Sequence, residues 1–393
     1  MDIGYFLKLM TEKNASDMFL TTGAPVYIKV EGKLYPLGNT GLPAGMVKKI
    51  AYSLMDEGQV PAFERDLELN LAIAVKDAGR FRINVFKQRG EIGMVIRAIK
   101  SEIPSFEQLK LPPILKDLIV EPRGLILMVG ATGSGKSTTL TSMIDHRNEH
   151  ASGHILTLED PLEFLFKNKK SIVNQREVGT DTKAYQIALK NALRQAPDVI
   201  FIGEIRDKDT MSQAIAYAQS GHLCLATLHA NNSYHAMSRI ISFYPLDNRP
   251  ALLADLSVTL KCVISQRLCK KPDGGRVPAI EVLLNSRYIA ELIEKGDLGE
   301  IKDAMEKSMV PGSQTFEQSL FSLYSSGVIT LDEALGNADS ANNLQQVINN
   351  AAAPAAAAKP AAAAAANPNA APDYTKSVAP GSFSEFKLNM DPE

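Results

Sequence analysis

Apolar positions change their period along the chain, and each change marks a boundary. The opening residues Ile3-Gly4-Tyr5-Phe6-Leu7-Lys8-Leu9-Met10 gather apolar side chains on one helical face, which predicts an amphipathic helix. Strict alternation follows in Val26-Tyr27-Ile28-Lys29-Val30 and Arg80-Phe81-Arg82-Ile83-Asn84-Val85-Phe86. Period two predicts strands with one buried face. Residues 1–100 are therefore expected to form a small mixed α+β domain. The prolines of Ile103-Pro104 and Leu111-Pro112-Pro113 interrupt any regular period, so 101–115 reads as a linker.

Beyond it the apolar runs shorten and lose their alternation. Gly124-Leu125-Ile126-Leu127-Met128-Val129, Ile155-Leu156-Thr157-Leu158, Val199-Ile200-Phe201-Ile202 and His222-Leu223-Cys224-Leu225-Ala226-Thr227 are runs of the kind buried on both faces. Helical stretches such as Tyr185–Leu193 separate them, and strand alternating with helix predicts a parallel sheet over 116–280. After Glu281 the pattern turns helical, through Ile289–Ile293 and Thr315–Phe321, giving a helical region over 281–350. From Ala351 alanine runs are cut by Pro354, Pro360, Pro368 and Pro372. Such runs have no apolar face to bury, so 351–393 is expected to be a disordered tail, with Phe383–Leu388 a possible docking peptide in it.

Composition narrows the choice of partners. A chain of 393 residues with 45% hydrophobic and 22% charged residues is globular and long enough for two domains. A formal net charge of −2 offers no basic stripe, so nucleic acid is not expected as a partner. The cysteines Cys224, Cys262 and Cys269 form neither a disulfide framework nor a C-x-x-C zinc pair. Met1–Leu20 contains Asp2, Lys8, Glu12, Lys13 and Asp17 and lacks the apolar core of a signal peptide. No apolar run reaches membrane-spanning length, and a cytoplasmic location is expected.

The chemistry begins at Gly130-Ala131-Thr132-Gly133-Ser134-Gly135-Lys136-Ser137-Thr138, a G-x-x-x-x-G-K-[ST] loop between an apolar strand and a helix. Glycines let backbone N–H groups approach a phosphate, and the following helix adds the positive end of its dipole. Lys136 would neutralise β- and γ-phosphate oxygens, and Ser137 would offer its hydroxyl to Mg²⁺. Hydrolysis further needs a carboxylate near the γ-phosphate. Val199–Ile202 runs into Gly203-Glu204-Ile205-Arg206-Asp207, a Walker B layout with glycine where many such motifs carry aspartate. Leu158-Glu159-Asp160-Pro161-Leu162-Glu163 is a second acidic box after a strand, although Glu159 and Asp160 could equally cap a turn. Gly221-His222-Leu223-Cys224-Leu225-Ala226-Thr227-Leu228-His229 places a histidine at each end of a buried strand, where one could sense the γ-phosphate.

Together these boxes resemble the signatures of the secretion and type IV pilus motor ATPases. The opening Ala15-Ser16-Asp17-Met18-Phe19-Leu20, followed by Gly23-Ala24-Pro25 and Gly32, looks like the retraction branch, the PilT/PilU family. Resemblance runs from about residue 1 to 350. It departs at Ser286–Lys295, where many retraction motors carry Ala-Ile-Arg-Asn-Leu-Ile-Arg-Glu, while the end Asn337-Ala338-Asp339-Ser340 looks like the PilU type. The resemblance implies a PAS-like N-terminal domain, a RecA-like ATPase core with a helical appendix, and a homo-hexameric ring. It implies ATP and Mg²⁺ as cofactors, with Lys136 and Ser137 on phosphate and metal, Glu163 as general base and Glu204 in the Walker B element. His222 and His229 would couple nucleotide state to domain position, and Arg82 and Arg97 of the N-terminal domain would close over the phosphates. The implied task is pilus retraction beside a PilT-type ATPase and an inner-membrane platform protein, at the cytoplasmic face of the pilus base. The rival readings are an extension or secretion motor, and a regulatory ring partner whose own hydrolysis is dispensable. The chain lacks the tetracysteine zinc site usual in the former.

Overall fold

The computed structural model describes residues 3–100 and 102–356. Of the tail expected over 351–393, residues 351–356 instead continue the last helix, and the rest, with the Phe383–Leu388 segment, lies outside the described residues. The N-terminal part opens with helix Ile3–Glu12 and contains strands β1 Asp17–Leu20, β2 Val26–Val30, β3 Lys33–Leu37, β4 Glu68–Val75, β5 Gly79–Gln88 and β6 Glu91–Ile99. They form an antiparallel sheet in the order β3-β2-β1-β6-β5-β4. Arg89 and Gly90 both have positive φ between the paired ends Gln88 and Glu91, the backbone that a two-residue hairpin needs to match strand twist. Alternation is realised on β5, where Phe81, Ile83 and Val85 join a core with Leu7, Met18 and Ile96. Arg80 and Arg82 therefore lie on the other face of the sheet.

The second sheet contains β7 Gly124–Val129, β8 Gly153–Glu159, β9 Ser171–Glu177, β10 Val199–Ile202, β11 Leu223–Leu228, β12 Leu260–Lys270 and β13 Arg276–Leu284. Its order is β13-β12-β7-β11-β10-β8-β9, parallel throughout except for the β12–β13 pair. β7 is buried on both faces: Leu125, Leu127 and Val129 join one apolar cluster, Ile126 and Met128 another. Each such side chain contributes on the order of 1.5–3 kcal/mol by leaving water, which is why these strands read as continuous apolar runs. β11 separates the strand that leads into the glycine loop from the Walker B strand β10, a RecA-like arrangement. The carboxyl ends of β7, β8, β10 and β11 share one edge, where ligands of parallel sheets bind.

Short helices Phe106–Leu109 and Ile114–Ile119 occupy the proline-bounded connection, the first closed by a Ser105–Gln108 capping box. Here the two sheets meet. Leu165 N–H donates to the Lys100 carbonyl at 3.0 Å, so the end of β6 is tied to the segment directly after Glu163. The C-terminal helices Arg287–Lys295, Phe316–Ser325 and Leu331–Asn337 are capped by Ser286, Thr315 and Thr330. A last helix spans Ala341–Ala356. Phe316, Leu320, Leu344 and Ile348 pack with Cys269 and Val277 of the antiparallel β12–β13 pair. All three cysteines are buried and unbonded, and burial pushes their thiols up, Cys269 to about 11.

Candidate active site at the carboxyl edge of the parallel sheet

β7 ends at Gly130, whose φ of 156° and tight surroundings admit no side chain. A Cβ there would stand 2.6 Å from the Gln266 carbonyl oxygen. Gly135, with φ 87°, precedes helix Lys136–His150, and a Cβ would meet Gln266 Nε2 at 2.8 Å. The glycines are thus set as much by β12 as by any ligand. Gln266 Nε2 donates to the Ser134 carbonyl at 2.7 Å, while its Oε1 accepts from Thr139 Oγ1 at 2.8 Å. One buried amide therefore clamps the loop to the first turn of its helix. Nothing in the sequence around Gln266 signals this, because an uncharged amide within a strand belongs to no motif.

The Lys136 ammonium is buried and donates to the carbonyls of Gly130 and Ala131 at 2.9 and 3.0 Å. Burial lowers its proton affinity, against which the carboxylates of Glu204 and Glu163 act to raise it. Both acidic boxes therefore lie within electrostatic reach of the loop lysine.

Glu204 is fully engaged. Its Oε1 lies 3.0 Å from His229 Nε2, and its Oε2 accepts from Arg206 at 2.6 Å. Arg206 also approaches Asp160 at 3.7 Å, and Glu204 raises its proton affinity further. Arg206 thus bridges the two acidic boxes, a role its place in the motif could have suggested. Gly203 stands where an aspartate would otherwise sit, and packing explains it. Its N–H donates to the Leu158 carbonyl at 2.7 Å, and its carbonyl accepts from Thr227 Oγ1. A Cβ would lie 2.7 Å from Tyr185 Oη and 3.1 Å from the Leu158 carbonyl oxygen. Gly203→Ala is expected to lower stability by about 2 kcal/mol through overpacking, and to slow turnover by displacing Glu204. Adding Tyr185→Phe, which removes the nearest atom, should recover part of the thermal midpoint; no recovery would place the strain elsewhere.

In the acidic box at the end of β8, Glu159 is buried and Glu163 exposed. Thr157 Oγ1 donates to Glu159 at 2.7 Å and Gln175 Nε2 at 3.4 Å. Burial nevertheless pushes the Glu159 carboxyl up to about 7, with Glu163 and Glu177 adding to the rise and the two donors opposing it. A folded value above the ordinary 4.5 means that the folded chain holds the extra proton. Its stabilising effect is complete below about pH 4.5 and is lost as pH rises through about 7, on the order of 3 kcal/mol in all. Glu159→Gln should therefore raise the thermal midpoint at pH 8 by roughly 5 °C. The gap should close towards pH 5, as scanning calorimetry across that range would show.

Glu163 lies past the cis Asp160–Pro161 bond and is held by its neighbours Leu162 and Phe164, both buried. Among the described residues no hydrogen bond or ion pair engages its carboxylate within this chain, in contrast to Glu204. Glu163, Glu204, His229 and Lys136 are thus brought to one edge. His222 is not. It precedes β11 at the opposite edge, where Ser220 Oγ lies 3.0 Å from its Nδ1 and its carbonyl accepts from Gly124 N–H at 3.0 Å. A buried strand separates it from the glycine loop, and the carboxyl-end rule for parallel sheets supplies the correction. Arg97 pairs in register with Arg82 and donates from Nε to Asp17 at 2.7 Å. Burial raises the proton affinity of Glu177 at the end of β9, and the charges of Arg82 and Arg80, within electrostatic reach, act against that rise. In this conformation Arg97 is paired with Asp17, and Arg82 acts electrostatically on Glu177.

A cleft of about 540 Å³ opens beside the loop, lined by Gly130, Ala131, His229, Asn231, His235 and Arg239. A separate cleft of about 340 Å³, bounded by Phe106, Lys116, Asp145, His146 and Lys169, contains none of the groups assembled here.

Residues 4–319 match the family model described as type II/IV secretion system protein. The chain is 48% identical to the type IV pilus ATPase PilU of Pseudomonas aeruginosa over 349 residues, covering 88% of this chain and 91% of that protein. It is 37% identical to the retraction ATPase PilT of the same organism, over 87% of this chain and all of that one. Among solved structures, the pilus retraction motor PilT with bound ADP superposes with a TM-score of 0.83 at 41% identity, over 88% of this chain and 99% of that chain. The Legionella pneumophila ATPase DotB superposes with a TM-score of 0.70 at 26% identity, over 84% and 94%. By the match over residues 4–319 and the identity to PilU and PilT, this chain belongs to the type II/IV secretion ATPases and, among them, to the PilT/PilU family of type IV pilus ATPases.

Proposed function

We propose that this chain is the PilU-type accessory motor of type IV pilus retraction, a subunit of a homo-hexameric ring that hydrolyses ATP with Mg²⁺ and acts with a PilT-type ATPase on an inner-membrane platform protein. The observation that carries the reading is the convergence of Lys136, Glu163 and the Glu204–His229 pair at one sheet edge, in a chain more similar to PilU than to PilT of one organism. Among the described residues no helix is long and apolar enough to cross a membrane.

The donor set suits Mg²⁺. No group of three or more His, Cys, Asp or Glu able to hold a metal occurs among the described residues. Mg²⁺ is commonly held by phosphate oxygens, water and one or two protein oxygens. Ser137 at the helix start would supply the hydroxyl, and Glu204 lies within electrostatic reach of the adjacent Lys136. Bound there, the ion would neutralise charge developing on the β- and γ-phosphates.

This chain's own residues do the rest. Gly130, Ala131, Thr132, Gly133, Ser134 and Gly135 present backbone N–H groups, and Lys136 exchanges its two carbonyl partners for phosphate oxygens. Thr138 follows Ser137 in the first helical turn. Glu163, whose carboxylate has no partner among the described residues, accepts a proton from the attacking water. Glu204 keeps His229 turned to the γ-phosphate side. Arg82 and Arg97 lie on one face of the N-terminal sheet and would move from Glu177 and Asp17 to the phosphates as the domains close.

The deciding experiment measures pilus retraction in cells lacking this chain, its PilT-type partner, or both. Loss of retraction force with residual retraction in the single deletion supports the accessory role. Full retraction by this chain alone would overturn it.

A further inference from the structure

The C-terminal region reaches the phosphate site through one ionic cluster. Arg267 follows Gln266 on β12, so its side chain leaves the opposite face of the strand. Its guanidinium stacks on buried Phe316 at 4.0 Å and donates to the Asn337 carbonyl, to the Asn231 carbonyl at 3.1 Å and to Asp339 Oδ1. The second carboxylate oxygen of Asp339 accepts from Asn232 Nδ2 at 2.8 Å. Asn232 in turn caps helix Ser233–Ser242, its Oδ1 accepting from His235 N–H at 2.9 Å. The Asp339 side chain is 16% exposed although its residue lies at the surface, so these bonds are shielded from water in part.

The stretch it holds matters. Asn231 follows His229 closely, and the capped helix carries His235 and Arg239 into the cleft over Gly130 and Ala131. Glu281 pins the same helix end from below, accepting from Ser233 N–H at 2.7 Å and from Ser265 Oγ at 2.8 Å. The upper restraint comes from Asp339, more than a hundred residues away in sequence.

We propose that Asp339 is a positioning residue for the γ-phosphate side of the nucleotide site, acting through Asn232 and Arg267; the proposal rests on the nucleotide-site reading above. The Asn337–Ser340 turn thereby links the stance of the C-terminal helices to the wall that meets the terminal phosphate. ADP, which lacks that phosphate, does not depend on the wall.

The test uses the full-length chain and measures binding of ADP and of a non-hydrolysable ATP analogue by titration calorimetry, alongside steady-state turnover. For Asp339→Ala, analogue affinity should fall about fivefold and turnover about tenfold, with ADP affinity within about twofold, since a charge-assisted bond is lost on one side of the site only. Asp339→Asn, which keeps an acceptor for Asn232, should recover much of the analogue affinity. Asn232→Asp preserves a good helix cap but opposes a like charge to Asp339. It should reproduce the selective loss even if Asp339→Ala fails to fold. Equal losses for ADP and analogue, or none for either, would overturn the positioning role while leaving the ATPase intact. A wild-type chain that binds neither nucleotide would overturn the site itself.

Discussion

Glu163→Gln is expected to abolish turnover, by about a thousandfold, while ADP affinity stays within about twofold of wild type. The reason is geometric. Both oxygens of Glu204 are committed, one to His229 and one to Arg206, whereas Glu163 is exposed and bound to nothing described in its own chain. A base needs an oxygen open to water, and of these two glutamates Glu163 is the one without a partner among the described residues. Glutamine keeps the shape and removes the basicity, so the loss should fall on kcat with little change in KM. Glu204→Gln should behave differently: it weakens the hold on Arg206 and His229, and part of its loss should appear in analogue binding. Single-turnover hydrolysis with prebound ATP separates the two. If Glu163→Gln hydrolyses ATP at the wild-type rate, the base lies elsewhere.

Lys136→Ala is expected to weaken ADP and ATP-analogue binding by about a hundredfold or more, and to remove measurable hydrolysis with it. The ammonium is buried and already desolvated, so its interaction with phosphate is undiluted by water. Removing it also frees the carbonyls of Gly130 and Ala131, which it now holds at 2.9 and 3.0 Å. Lys136→Arg should fail nearly as badly, because a planar guanidinium does not fit a cradle shaped around a compact ammonium. Retention of nucleotide binding by Lys136→Ala would remove the loop from the site.

Helices, strands and the glycine loop were legible because each is a local pattern. Period two predicted β2 and β5, continuous apolar runs predicted β7, β8, β10 and β11 but not β9 or β12, and the loop carries its chemistry in consecutive residues. The two histidines show where locality ends. His222 and His229 are equivalent in sequence, one at each end of β11, yet only His229 lies at the carboxyl edge beside Glu204. Strand direction decides between them, and the parallel-sheet rule already contained that information. Gln266 had no such signal. An amide becomes a clamp only when β12 is laid beside β7, and the distance in sequence to Ser134 hides the pairing.

The sequence by itself determined that this chain handles a nucleoside triphosphate, that the binding loop joins strand to helix, and that two carboxylate boxes accompany it. Those properties depend on residue types at short, fixed spacings, which covalent geometry converts directly into local shape. Only the tertiary structure decided that Glu204 is engaged while Glu163 has no partner among the described residues, why Gly203 admits no side chain, and that Asp339 bonds Asn232 and Arg267 from across the chain. These outcomes depend on contacts between segments far apart in the chain, and such contacts exist only after the sheet order has been set by burying apolar faces together.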